Sequence, residues 1–165
     1  MERINIYSIQ LVKEKSEVYD LDNISITSPE DAAKAVCTVL NLHRSACEQF
    51  VVFTLNTKNE IIGVHPLFKG SLSSAIVHPR EVFQTALLNN AASIICFHNH
   101  PSGSVSPSNQ DIELTKTLQF ASQIMGVSVL DHIIIGDENN YTSMKEKGYF
   151  EDSNHWLVVD YLLNL

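Results

Sequence analysis

A chain of 165 residues with 44% hydrophobic content is sized for one globular domain, able to bury about two-thirds of its unfolded surface without disulfide staples. Its net charge of −8 argues against a duplex-binding face, which needs a basic patch to displace counterions from phosphate. No apolar run nears the roughly 20 residues that span a bilayer, and no basic flank followed by an apolar block marks a signal peptide.

The first dozen residues alternate loosely at Ile4, Ile6, Ile9 and Leu11, so residues 1–28 are expected to form an edge strand or ordered arm ahead of a domain over 29–165. Ser28-Pro29-Glu30-Asp31 is a helix start, with serine as N-cap, proline at the first helical position and acids in the first turn. Ala33, Val36, Cys37 and Leu40 follow at helical spacing, which predicts a helix from Pro29 to Arg44. The stretch from Glu48 to Asn56 is rich in β-branched and aromatic residues and reads as a buried strand. A polar turn then leads into a return strand over Ile61 to Phe68, broken at Lys69-Gly70-Ser71, and a short strand is expected over Leu72 to Val77.

His78-Pro79-Arg80-Glu81 opens a second helix with Val82, Phe83, Ala86, Leu87 and Ala91 on its apolar face. Ala92 to Phe97 is an apolar strand running into His98, and residues 99–107 form a loop of Pro, Ser, Gly and Asn. Ser108 begins a third helix with Ile112, Thr115, Leu118, Ser122 and Met125 on one face, and Gly126 ends it. A strand over Val127 to Ile135, a turn, a return over Tyr141 to Met144 and an apolar segment from Trp156 to Leu165 complete the chain. The mixture predicts an α/β fold, a single three-layer domain with a mixed β-sheet flanked by helices. Cys37, Cys47 and Cys96 have apolar neighbours and no Cys-x-x-Cys spacing, so they are expected to be buried reduced thiols of a cytoplasmic protein.

His98 and His100 sit at i and i+2 where a buried strand ends. On a strand that spacing puts both imidazoles on one face, at the carboxyl edge of the sheet where ligand crevices form. Two such rings make two legs of a tetrahedral zinc site, and a third protein ligand leaves the fourth position to water. Asp111 can supply it, because side chains in a first helical turn lean back towards the N-terminus. Ser108 and Asp111 are equally the two ends of a capping box, so a purely structural reading of that pair stays open. His78 and His132 are assigned structural roles, while His43, His65 and His155 are read as surface or turn residues.

The joint pattern, His98-Asn99-His100-Pro101-Ser102-Gly103 followed by Pro107-Ser108 and Asp111, resembles the JAB/MPN domains that carry the JAMM metalloprotease signature. Leu55-Asn56-Thr57-Lys58-Asn59, Val77-His78-Pro79-Arg80-Glu81 and Leu130-Asp131-His132-Ile133-Ile134-Ile135-Gly136 are similar to the RadC-like bacterial branch, over roughly Pro29 to Lys147. The resemblance implies a cytidine-deaminase-like three-layer fold and zinc on His98, His100 and Asp111. It implies Glu48 as general acid/base and Ser108 as the residue that steadies a tetrahedral intermediate. Peptide or protein would be the substrate. Glu60 and Glu81 are rival carboxylates, although Glu81 also suits a first helical turn.

Longer RadC-like proteins carry an N-terminal helix-hairpin-helix region. Here about 28 residues precede the first helix, which suggests a stand-alone catalytic module. The branch is named for DNA repair, so a repair-associated factor is one alternative. A metal-dependent nuclease is another, prompted by the letters His-Asn-His, although HNH nucleases spread those residues over a ββα unit. A non-catalytic binding module is a third. A zinc deaminase is disfavoured, because no Pro-Cys-x-x-Cys completes its site.

Overall fold

The computed structural model describes residues 4–5, 10–21, 24–70, 77–137 and 140–150. Helix α1 (Pro29–Leu40) starts in a full capping box, Ser28 accepting from the Asp31 amide while the Asp31 carboxylate takes the Ser28 amide. It ends four residues before the predicted Arg44, because Asn41 adopts a left-handed conformation (φ 51°) and the chain continues as a 3₁₀ turn over Leu42–Arg44. Asparagine tolerates that conformation better than most residues.

Strands β1 (Glu48–Leu55) and β2 (Ile61–Gly70) form the expected hairpin. The break foreseen at Lys69-Gly70 is absent, since the ladder continues through Gln49–Lys69 and Glu48–Gly70 pairs. The strand expected over Leu72 to Val77 falls almost entirely outside the described residues, as does the Trp156–Leu165 segment. Helix α2 (Pro79–Leu88), strand β3 (Ser93–Asn99), helix α3 (Asn109–Met125) and strands β4 (Ser128–Ile135) and β5 (Tyr141–Ser143) follow. The sheet order is β2-β1-β3-β4-β5, with β3 and β4 parallel and every other pair antiparallel. Helix α3 is the crossover between the parallel pair, as such a connection requires.

Alternation along β1 and β3 divides the core into two layers. Val51, Phe53, Leu55, Ile95 and Phe97 pack with Ala32, Ala33 and Val36 of α1. Phe50, Val52, Ile94 and Cys96 pack with Val82, Phe83 and Ala86 of α2 and Leu118 of α3. Both faces of the central strands are covered, which is why they read as unbroken apolar runs. This is the three-layer architecture expected from the sequence.

Several expectations need correcting. The buried face of α3 carries Asp111, Thr115 and Leu118, while Met125 is exposed. Leu87 of α2 is exposed as well. His65 lies within β2 and contacts Thr54 Oγ1 and Asn89 Nδ2 at 3.2 and 3.3 Å, so it is a partly buried polar partner rather than a turn residue. Cys96 alone is fully buried; Cys37 is half-buried and Cys47 exposed, and all three thiols are free. Residues 10–21 have no regular secondary structure, and Leu11 and Val12 are exposed. The first sheet contact of this N-terminal part is the isolated bridge from Ser25 to Glu60. Among the described residues no helix is long and apolar enough to cross a membrane.

Candidate metal centre

The site forms where β3 ends. Antiparallel pairing sets His98 opposite Phe50, whose ring belongs to the layer covered by α2 and α3, so His98 points beneath α3. The His100 amide still donates to Ile135 of β4 at 3.2 Å, which prolongs the strand and keeps the two imidazoles on one side. Their Nε2 atoms are 3.0 Å apart. The loop then turns at Gly103, whose φ of 75° suits glycine, and brings the Ser104 carbonyl 2.8 Å from His100 Nδ1.

Helix α3 delivers the third donor. Its capping box is complete: Ser108 Oγ accepts from the Asp111 amide at 3.2 Å, and the Ser108 amide donates to Asp111 Oδ2 at 2.7 Å. The Ser108 hydroxyl also donates to Oδ2, at 2.7 Å. With Oδ2 so engaged, Oδ1 faces His98 Nε2 at 3.1 Å, while Oδ2 lies 3.6 Å from His100 Nε2. Capping and ligand presentation are therefore the same local geometry, and the two readings of the pair coexist.

His98, His100 and Asp111 can hold a metal ion, each offering one donor atom within 4.8 Å of the others. A tetrahedral ion with bonds near 2.1 Å needs donors about 3.4 Å apart; the two imidazole nitrogens are 3.0 Å apart, and each has an Asp111 oxygen nearby, Oδ1 at 3.1 Å from His98 and Oδ2 at 3.6 Å from His100. The chemistry of the set fits as well. The Ser104 carbonyl can only accept, so His100 Nδ1 carries the hydrogen and the neutral ring presents Nε2 as a lone pair. A carboxylate and converging imidazoles, with His98 and Asp111 buried, are an arrangement that a cation relieves. Burial pushes the Asp111 carboxyl up, but the facing imidazoles of His100 and His98, together with the Ser108 hydroxyl, outweigh it and hold the group well below the usual carboxylate range. Asp111 in turn raises His100 above its ordinary value, against the opposing effect of burial.

Glu48 is half-buried at the start of β1. The β1–β3 register pairs Phe50 with His98, and continuing it by two residues would set Glu48 opposite His100, on the same face. Its charge is felt there, adding to the rise in the His100 pKa. Asn99, fully buried between the two histidines, fixes this segment. Its Oδ1 accepts from the Gln49 amide at 2.9 Å, and its Nδ2 donates to Ser45 and Cys47 carbonyls at 3.3 and 3.2 Å. Nothing in the residue pattern pointed to that clamp beyond an asparagine between two histidines.

The rival carboxylates lie elsewhere. Glu60 bonds Asn56 Nδ2 at the hairpin turn, six residues and roughly 20 Å along the strand from the Phe50–His98 pair. Glu81 is exposed in the first turn of α2. His78 is exposed too, serving as the N-cap position of α2 without a side-chain cap bond.

His132 is placed far closer to the chemistry than expected. It occupies β4 beside Cys96, is fully buried, and sets its Nε2 2.8 Å from His98 Nδ1 and its Nδ1 2.7 Å from Thr115 Oγ1. Burial, reinforced by the neighbouring His98, holds its pKa well below the ordinary value, so the ring is neutral. Asp131 next to it accepts from the His132 and Lys145 amides and the Ser143 hydroxyl, anchoring β4 to β5.

A mixed sheet between helical layers, with a His-x-His pair at a strand end facing an aspartate in the first turn of the crossover helix, defines a JAB-type domain with a candidate metal centre. The RadC-like JAB domain model matches residues 26–149, and the chain belongs to that family. It is 48% identical over 143 residues to a UPF0758 protein of Listeria monocytogenes serovar 1/2a, covering 87% of this chain and 62% of the relative. A UPF0758 protein of Bacillus cereus (strain G9842) is 53% identical over 125 residues, 76% of this chain and 54% of its own. One of Shouchella clausii is 52% identical over 125 residues, with 76% and 53% covered. The chain thus spans little more than half to three-fifths of these relatives, whose names state no activity.

Proposed function

We propose that the domain is a zinc-dependent hydrolase of peptide or isopeptide bonds. The observation that carries this reading is the convergence of two imidazole nitrogens and one carboxylate, one donor atom from each within 4.8 Å of the others, with Glu48 on the adjoining strand. Zinc held there supplies Lewis acidity and brings a water's pKa down to about 7. Glu48 takes the proton from that water and passes it to the leaving amide nitrogen, which needs protonation to depart. Asn99 keeps Glu48 at the mouth by tying down residues 45–49. The net charge of −8 suits a peptide substrate better than a polyphosphate backbone.

Purified protein loaded with zinc, and the same protein stripped by chelator, should be assayed on peptide, isopeptide and phosphodiester substrates. Metal-dependent cleavage of an amide is expected, whereas cleavage confined to the phosphodiester would overturn the reading.

Ser108 serves in the capping box with its hydroxyl hydrogen directed at Asp111 Oδ2. To donate to an oxyanion the hydroxyl must rotate, and the Ser108 amide then retains Oδ2 alone. Ser108→Ala is expected to keep zinc, lose about 1 kcal/mol of stability and lose roughly two to three orders of magnitude in rate. Ser108→Gly isolates the second effect, since glycine caps within a few tenths of a kcal/mol of serine. Equal rate loss in both variants supports the oxyanion role; near-normal rates in both would leave serine as a cap only.

A further inference from the structure

We propose that Thr115 and His132 form a hydrogen-bond relay that fixes the tautomer of His98, presenting its Nε2 as a hydrogen-free donor to the metal. The inference rests on the metal reading above and deepens it: His132 and Thr115 are positioning residues that touch neither ion nor substrate.

The directions follow from what each group can do. Thr115 Oγ1 lies 2.7 Å from the Asp111 carbonyl one helical turn back. A peptide carbonyl only accepts, so the single hydroxyl hydrogen goes there. The same oxygen is 2.7 Å from His132 Nδ1 and must therefore accept from it, which places the ring hydrogen of His132 on Nδ1. A neutral imidazole has one such hydrogen, so His132 Nε2 is a lone pair, 2.8 Å from His98 Nδ1. That nitrogen of His98 must then be the donor, and because an imidazole that ligates a metal is neutral, its Nε2 is the hydrogen-free atom facing Asp111 Oδ1 and His100 Nε2.

Each member is locked by the fold. Thr115, His98 and His132 are buried, and the β3–β4 register slips between Ile94 and Ile95 so that His132 falls opposite Cys96 on the face of His98. The Phe50 ring meets His132 edge-on, with centroids 5.6 Å apart. Asp111 thus acts twice, its carboxylate in the ligand cluster and its carbonyl at the head of the chain that orients His98. His100 reaches the same tautomer by a shorter route, through Ser104. Outer partners of this kind commonly govern ligand orientation and basicity.

Thr115→Val keeps the shape of the side chain and removes the acceptor. His132 then gains by moving its hydrogen to Nε2, which donates to His98 Nδ1 and drives the His98 hydrogen onto Nε2, where it blocks a ligand position. In metal-free protein, imidazole ¹⁵N shifts should show His98 changing from the Nδ1–H to the Nε2–H tautomer. Zinc affinity, read by chelator competition, should fall about 10- to 100-fold. Thr115→Ser, which keeps the hydroxyl, should restore both, and Thr115→Ala gives the same readouts if valine disturbs α3. Unchanged tautomer and unchanged affinity in Thr115→Val would overturn the relay. A wild-type chain that binds no zinc overturns the metal reading instead, while the tautomer readout, taken without metal, still decides the relay.

Discussion

Asp111→Ala is expected to strip the metal and with it all turnover, while the domain stays folded. Wild-type protein should carry close to one zinc per chain, since His98, His100 and Asp111 are the one group among the described residues that could hold an ion. The variant removes one donor and also one end of the α3 capping box, so about 1 kcal/mol of stability should go with it. His98→Ala separates the two losses, because it removes a donor and leaves the helix start intact. Elemental analysis and chelator competition on the two variants, beside their thermal unfolding without metal, make the check. Stoichiometric metal retained by folded Asp111→Ala would place the ion elsewhere.

Glu48→Gln should do the opposite, retaining zinc and fold while losing about two to four orders of magnitude in turnover, the range attributed to a positioned general acid/base. The amide is nearly the same size and still fits between Gln49 and the 45–47 segment, but it cannot shuttle a proton. Glu60→Gln is the matched control, because that carboxylate is tied to Asn56 at the far end of the hairpin. Unchanged turnover in Glu48→Gln, measured as kcat at saturating metal, would move the proton transfer to another group.

The three donors were legible in the sequence because their placement is local. An i, i+2 pair at a strand end and an aspartate in a first helical turn have directions set by backbone geometry alone. Glu48 was legible only through family resemblance, since no local pattern says which acid lies near His100; extending the β1–β3 register two residues beyond the Phe50–His98 pair would bring Glu48 to that side. The relay was not legible at all. Thr115 and His132 meet across 17 positions of chain, and a histidine after an aspartate looks like any buried polar residue. The apolar face of α3 was misread for a related reason. Thr115 and Leu118 lie inward as the spacing predicts, but the buried stripe also takes in Asp111 and stops short of Met125, which shares that side two turns beyond Leu118 and is exposed as the last residue of the helix. The end of α1 was missed because Asn41 stops it through a left-handed backbone, which the spacing of apolar residues does not announce.

The molecule contains two capping boxes of the same design, Ser28 with Asp31 on α1 and Ser108 with Asp111 on α3. The first lies at the start of α1, where its aspartate also holds Thr27, and it shows that folding alone is reason enough to retain such a pair. In a lineage that lost the ion, the serine and aspartate of α3 would still be held in place by selection for stability. His98 and His100 start no helix, and although His98 also meets His132 in the core, neither is held by a capping duty. Decay of activity in such domains should therefore be read from the two imidazoles, and an intact serine–aspartate spacing is no witness to catalysis.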